Sequence, residues 1–405
     1  MRMPLNFLRR LKPSLALYDV PEFFRLPHHP GTRMTLKRRL NLYLVKLQRM
    51  RGHTKLRGHP TVLTIEAANV CNLACPYCFT GAGEEGRRRG HFPLPLYQRL
   101  IDELGDYLLE VELHNWGEPL LNKNIPELIR IAHNRGISTI LSTNFSFPFD
   151  AARAEAIVSA GLSQMGVSID GVTQETYEKY RVKGRLDTVL QNVKRVIEAK
   201  RALGSPTPRL IWEFHVFEHN KHEVEQARAM ARELGMDIDV SKGWVAGPEW
   251  DPDGPIKFFM APTMDRCGFL WQRAVVNADG GVSPCCGAFY QEDDFGSVGE
   301  MSFKEVWNNE RFQEARRLFR SRQGSEAGRS LICYECPETL NWEDYLQHLA
   351  EGGDRFAFKS RFTTNDGFNF FFDRRPAGRK AAQGADVVEL QPVDAGPSAP
   401  PDSPH

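Results

Sequence analysis

Thr61-Val-Leu-Thr-Ile-Glu-Ala67 reads as a strand, and Cys71-Asn-Leu-Ala-Cys75-Pro-Tyr-Cys78 follows it at once. Three thiolates at C-x3-C-x2-C spacing, on a loop behind a strand, can hold three corners of a cubic 4Fe–4S cluster. The fourth iron then has no protein ligand, and a small molecule can chelate it. A structural zinc site is closed by four ligands. The nearest candidate for a fourth is His91, beyond an arginine-rich loop, and zinc stands as the alternative reading.

Outward from this stretch, strands and helices alternate. Leu96–Leu108 is expected to be helical and Glu110–Asn115 a second strand. Helix Ile125–Asn134 leads to strand Ser138–Ser142, and helix Ala151–Ala160 to strand Gln164–Ile169. A long helical stretch, Glu175–Ala202, precedes strand Arg209–Phe217, and His222–Leu234 precedes a sixth strand, Met236–Ser241. Strands separated by helical segments predict an α/β fold with a parallel sheet and right-handed crossovers. Periodicity alone leaves a partial barrel and an open sheet both open.

The alternation stops near residue 243, where Gly243-Trp-Val-Ala-Gly-Pro-Glu-Trp250 marks a linker or a loop over a site. Residues 262–345 hold five further cysteines and one clear helical stretch, Phe303–Phe319. Phe368, Phe370, Phe371 and Phe372 crowd a segment expected to dock on the core. From Pro376 the composition predicts a disordered tail. The expected divisions are a basic extension (1–60), an α/β core (61–242), a cysteine-rich unit (243–345), a Phe-rich docking segment (346–375) and the tail (376–405).

Charge is balanced overall, with 52 Lys and Arg against 51 Asp and Glu. Residues 1–60 nevertheless carry a local excess of +12. Met34–Met50 is expected to form a helix that packs on the core and turns its charges to water, with membrane-surface contact as the alternative. No apolar run approaches the length of a membrane span and no secretory signal is evident, so a cytoplasmic location is expected, with the inner membrane surface open to the basic extension. Eight cysteines in tight groups, without an export signal, point to metal or redox chemistry more than to disulfides.

Cys71, Cys75 and Cys78, with aromatic Tyr77 before the last, resemble the radical SAM superfamily. Asn115-Trp-Gly-Glu-Pro119 is similar to the family's Gly-Gly-Glu motif, with Trp116 in place of the first glycine. The resemblance implies that Gly117 and Glu118 bind the amino group of S-adenosylmethionine (SAM). It implies further SAM contacts from Tyr77, from Asn144 after the third strand, and from Ser168 and Asp170 after the fourth. Tyr180-Arg181 resembles a pair whose arginine meets the SAM carboxylate. The fold implied is a partial (β/α)6 TIM-like barrel, which places its chemistry at C-terminal strand ends.

Cys267, Cys285, Cys333 and Cys336 can ligate one more 4Fe–4S cluster, or one zinc. Their arrangement resembles the short SPASM/Twitch extension of radical SAM enzymes, which implies one auxiliary cluster. Cys286 is left over as a buried thiol or an alternative ligand. The resemblance implies reductive cleavage of SAM to a 5′-deoxyadenosyl radical, fed by a flavodoxin, ferredoxin or reductase. That radical would oxidise a substrate C–H site of a sugar, aminocyclitol or glycan alcohol, with a peptide substrate as the alternative. A non-catalytic zinc or nucleic-acid-binding protein is the reading from another class, and DNA is not expected as a partner. The proton acceptor cannot be read: His215, Lys242, Glu249 and Asp251 all have structural defaults.

Overall fold

The computed structural model describes residues 30–243, 250, 267–319 and 326–351. Six parallel strands form where the alternation predicts them: β1 (Val62–Ile65), β2 (Glu110–Glu112), β3 (Ser138–Thr143), β4 (Gln164–Ser168), β5 (Arg209–Val216) and β6 (Asp237–Lys242). Between and before them lie helices α1 (Leu36–Met50), α2 (Leu94–Leu104), α3 (Ile125–Asn134), α4 (Ala151–Ser159), α5 (Gln174–Tyr180), α6 (Leu186–Ala202) and α7 (Val224–Glu233). The C-terminal segment contributes β7 (Arg273–Val276), β8 (Gly281–Ser283), β9 (Gly296–Ser297), α8 (Phe303–Trp307), α9 (Glu310–Leu318), α10 (Glu326–Arg329) and α11 (Pro337–Ala350). The result is the expected α/β partial barrel with a C-terminal cysteine-rich region.

The sheet order is β6-β5-β4-β3-β2-β1-β7-β8-β9. The cysteine-rich region therefore shares the core's sheet: β7 pairs in parallel with β1, and β8 and β9 follow antiparallel. Alternation along the strands divides the sheet's two faces. Leu63, Ile65, Val111, Leu141, Met165, Val167, Trp212 and Phe214 are buried in the main apolar core. On the other face polar groups meet: Thr64 Oγ1 donates to Glu112 Oε2 at 2.6 Å, and Ser168 Oγ to Glu213 Oε2 at 3.2 Å.

Two expected helices are each broken in two. The stretch 175–202 leaves the helix at Arg181 (ψ 60°) and passes through Lys183 at φ 69° before α6 begins. The stretch 303–319 breaks at Asn308-Asn309. Asn309 caps α9 through Phe312 N–H, while Asn308 exchanges two hydrogen bonds with the backbone of Leu56.

Helix α1 packs on the core as expected, but one of its charges goes inward. Arg38 is 2% exposed. Its guanidinium donates to the carbonyls of Gly105 and Arg135, both at 2.9 Å, and of Gly136 at 2.6 Å. These are the C-terminal ends of α2 and α3, where unsatisfied carbonyls and the helix dipoles favour a cation. Leu36 and Leu40 stay exposed at 72% and 60%. No helix among the described residues is long and apolar enough to cross a membrane. The Phe-rich segment beyond residue 351, the tail, Glu249 and Asp251 lie outside the described residues.

Candidate functional site

The loop carrying Cys71, Cys75 and Cys78 leaves the C-terminal end of β1, and the ends of β2 to β5 surround it. Burial pushes all three thiols up, Cys75 to about 11 despite the nearby Arg181 charge. Arg181 Nη1 comes within 4.0 Å of Cys75 Sγ, and Asn144 Nδ2 lies 3.5 Å from Cys71 Sγ. Asn144 is further held by Asn72 Oδ1 at 3.1 Å and caps the turn at Ser146. Tyr77 packs edge-on against Trp250 at 5.6 Å.

Behind β2, Gly117 is pressed against the connection from β1 to the cysteine loop. A Cβ there would lie 2.1 Å from the Ala68 carbonyl oxygen, so only glycine fits. The next residue, Glu118, is 2% exposed. Its Oε1 accepts from Leu120 N and Thr143 Oγ1, and its Oε2 from Asn144 N. Burial raises this carboxyl to about 7 because those donors only partly offset desolvation. It is a buried acid whose ionised form calls for a cation.

Asp170 is fully buried, and its carboxylate is already engaged. Oδ2 accepts from Arg181 Nε at 2.6 Å, and Oδ1 accepts from the His215 backbone at 2.7 Å and lies 3.1 Å from His215 Nδ1. Burial alone would raise it, but Arg181 and His215 hold it at about 2. Asp170 thus anchors Arg181 and the His215 ring. Ser168 shares Glu213 Oε2 with Ser142 on β3.

The second group closes around its own cavity, lined by Cys267, Cys285, Cys333 and Cys336 together with Leu270, Pro284, Phe319, Ile332 and Thr339. Cys286 is not among the lining residues, and its carbonyl accepts from Trp116 Nε1 at 2.8 Å. Among the described residues, no three or more His, Cys, Asp or Glu side chains converge tightly on a single-ion position.

Several residues escaped the sequence reading. Glu213 sits mid-strand in Trp212-Glu-Phe214, and a charge flanked by buried aromatics was the available signal. Glu66 directly follows β1 and accepts from Trp116 N–H (3.3 Å) and Ala278 N–H (3.1 Å). Arg87 pairs with Asp294 and Asp279 and donates to the carbonyls of Phe289 and Tyr290. Nothing local announced these contacts.

Residues 65–208 match the model of the radical SAM superfamily, and residues 267–337 match SPASM, an iron-sulfur cluster-binding domain. The chain belongs to the radical SAM superfamily. Membership brings a 4Fe–4S cluster, SAM and an auxiliary iron–sulfur cluster. The Fe-coproporphyrin III synthase of Methanosarcina barkeri is 34% identical over 124 residues, 30% of this chain and 30% of that protein. The S-adenosyl-L-methionine-dependent 2-deoxy-scyllo-inosamine dehydrogenase of Niallia circulans is 21% identical over 68% of this chain and 92% of that protein. The chain spans 30% and 48% of the length of the two Methanosarcina barkeri relatives it matches. Streptococcus suis SuiB bound to S-adenosylmethionine shares the fold, with a TM-score of 0.54 at 14% identity over 69% of this chain and 73% of that one.

The residues present fit these groups. A three-thiol loop with a cation beside one sulfur suits a cluster anchored at three corners. The under-compensated Glu118 suits an ammonium, and a four-cysteine cavity suits a fully ligated cluster.

Proposed function

We propose that this chain is a radical SAM oxidoreductase that oxidises a C–H site on a hydroxyl-rich small molecule, such as a sugar or aminocyclitol alcohol. The observation that carries the reading is the placement of Glu118 and Arg181 beside the three-cysteine loop: an acid with no ion-pair contact among the described residues, and a cation held by Asp170. They match the two charged ends of an amino acid moiety. Cys71, Cys75 and Cys78 would hold the site cluster, which with SAM supplies a carbon-centred radical able to remove hydrogen from an unactivated carbon. Gly117 and Glu118 would seat the SAM ammonium, and Arg181 the carboxylate. Asp170 would orient Arg181 without touching SAM. Asn144 would steady Cys71, Tyr77 would pack beside the nucleotide, and Ser168 would meet the ribose. Cys267, Cys285, Cys333 and Cys336 would hold the auxiliary cluster, and a flavodoxin or ferredoxin would deliver electrons.

The hydroxyl-rich substrate class is supported by the polar face of the sheet, where Thr64, Glu112, Ser142, Ser168 and Glu213 form a hydrogen-bonding wall. The dehydrogenase relative matched over 92% of its length points the same way. The test is anaerobic reconstitution followed by incubation with SAM and a reductant. About eight irons per chain are expected from two cubane clusters, with 5′-deoxyadenosine as product. Cys75→Ala should abolish SAM cleavage, whereas Cys333→Ala should leave cleavage and block substrate oxidation. Stoichiometric zinc without iron would sink the reading. Turnover confined to a peptide panel would reject the alcohol substrate.

A further inference from the structure

Trp116 stands where the resemblance places a glycine, and its polar groups reach different parts of the molecule. Its carbonyl oxygen lies 3.7 Å from Cys78 Sγ. Its indole Nε1–H donates to the Cys286 carbonyl at 2.8 Å. One peptide bond joins Cys286 to Cys285, which lines the four-cysteine cavity. Phe79 meets the indole edge-on at 4.7 Å, and Phe289 lies 6.1 Å from it, also at a right angle. The ring is thereby held in one orientation. A continuous path runs from Cys78 across one close contact, through Trp116, across one hydrogen bond, and back along the Cys286 backbone and the peptide bond before it to Cys285.

We propose that Trp116 is a positioning residue for electron transfer, providing the electronic contact between the three-cysteine site and the four-cysteine site. The inference rests on the two-cluster reading above. In the step it serves, one electron leaves a reduced auxiliary cluster and arrives at the oxidised cluster of Cys71, Cys75 and Cys78. The first is oxidised and the second reduced by that one electron. No bond forms or breaks, and no proton moves. Trp116 itself keeps its oxidation state: it shortens the gap through its carbonyl–sulfur contact and its N–H···O bond. Hydrogen bonding and orientation around a cluster are levers that belong to the protein.

The test uses the full chain, reconstituted without oxygen, with iron and sulfide counted first. Light-driven reduction by a deazaflavin, kept below one equivalent, loads an electron. Freeze-quenched EPR then follows its redistribution between the clusters, with the Cys75→Ala and Cys333→Ala chains as reference spectra. Trp116→Phe keeps the packing and removes the N–H, and Trp116→Leu removes the ring as well. The expected result is wild-type iron content and unchanged reduction potentials in the variants, with redistribution several-fold slower. A wild-type rate in both variants overturns the inference and leaves the two-cluster reading standing. Iron for fewer than two clusters in the wild-type chain overturns that reading and the inference with it. Loss of iron from both variants makes Trp116 a structural strut and overturns its electronic role.

Discussion

Asp170 and Arg181 form an ion pair beside the cysteine loop, and each needs the other. Asp170 is fully buried, while Arg181 keeps its Nη1 edge toward Cys75. Asp170→Asn removes the charge that holds a buried guanidinium, a change that costs about 3–5 kcal/mol in comparable buried pairs. SAM affinity, measured by equilibrium dialysis on the reconstituted chain, should fall at least about tenfold, equivalent to about 1.4 kcal/mol. Unchanged affinity would mean that Arg181 does not need its anchor. Glu66 makes a different prediction. Burial lifts its carboxyl from 4.5 to about 7, against the opposing pull of Ala278 N–H, Arg87 and Trp116 N–H. Between those two values the unfolded chain has released this proton and the folded chain still holds it. Stability of the cluster-free chain should therefore fall as pH rises through that window, and Glu118 adds a shift of the same sign. Urea titrations across the window should show a shallower decline for Glu66→Gln; an equally steep one would remove Glu66 from the account.

At the scale of elements, two glycines separate backbone constraint from side-chain constraint. A Cβ at Gly117 meets the Ala68 backbone, which cannot yield, whereas a Cβ at Gly166 lies 2.0 Å from Glu213 Oε1, the movable end of a side chain. Gly117→Ala should lower stability and abolish SAM binding together. Gly166→Ala should fold and bind SAM but swing Glu213 off Ser142 and Ser168, lowering turnover. Thermal melts beside turnover assays separate the two cases. Similar loss of stability in both would refute the distinction. Helix α1 offers a third case. Arg38→Met leaves the carbonyl ends of α2 and α3 without their buried donor, and a loss of about 2–4 kcal/mol is expected from hydrogen bonds to a charged group. Neither helix predicts this from its own residues. By contrast, Ile125–Asn134 was legible to the residue, because its apolar stripe and Pro126 at the first turn are local signals. The break at Asn308-Asn309 was not legible, because Asn308 is recruited by Leu56, 252 positions away.

Across the whole molecule, the cysteine-rich region packs against Trp116 and the loop that follows Cys78. Arg87, from the loop after Cys78, is nearly buried between Asp294 and Asp279 and also holds two carbonyls of that region. Arg87→Met strands two buried carboxylates, so a destabilisation of about 3–5 kcal/mol is expected, with iron lost from the three-cysteine site as the loop loosens. Retention of full iron and stability would show that the two regions hold together without this clamp. The thiols add a pH dependence of loading. Burial holds Cys75 at about 11 and raises Cys285 well above its ordinary value, so near neutral pH they carry protons that a metal must displace. Cluster uptake should accelerate as pH rises above neutrality, as followed by visible absorbance.

Residue order alone sets the ligand spacing of Cys71, Cys75 and Cys78, the alternation of strands and helices, and the grouping of the remaining cysteines. Each of these is written within a few residues, where chain geometry alone relates the side chains. It takes the packed fold to put Cys285 on the cavity wall while Cys286 meets Trp116 across 170 positions. The same packing makes Asp170 serve Arg181 and lets Arg87 reach Asp294 across 207 positions. Those outcomes depend on which way a side chain leaves a packed sheet and on what burial leaves uncompensated. Both are properties of the assembled core, and no stretch of the chain carries them alone.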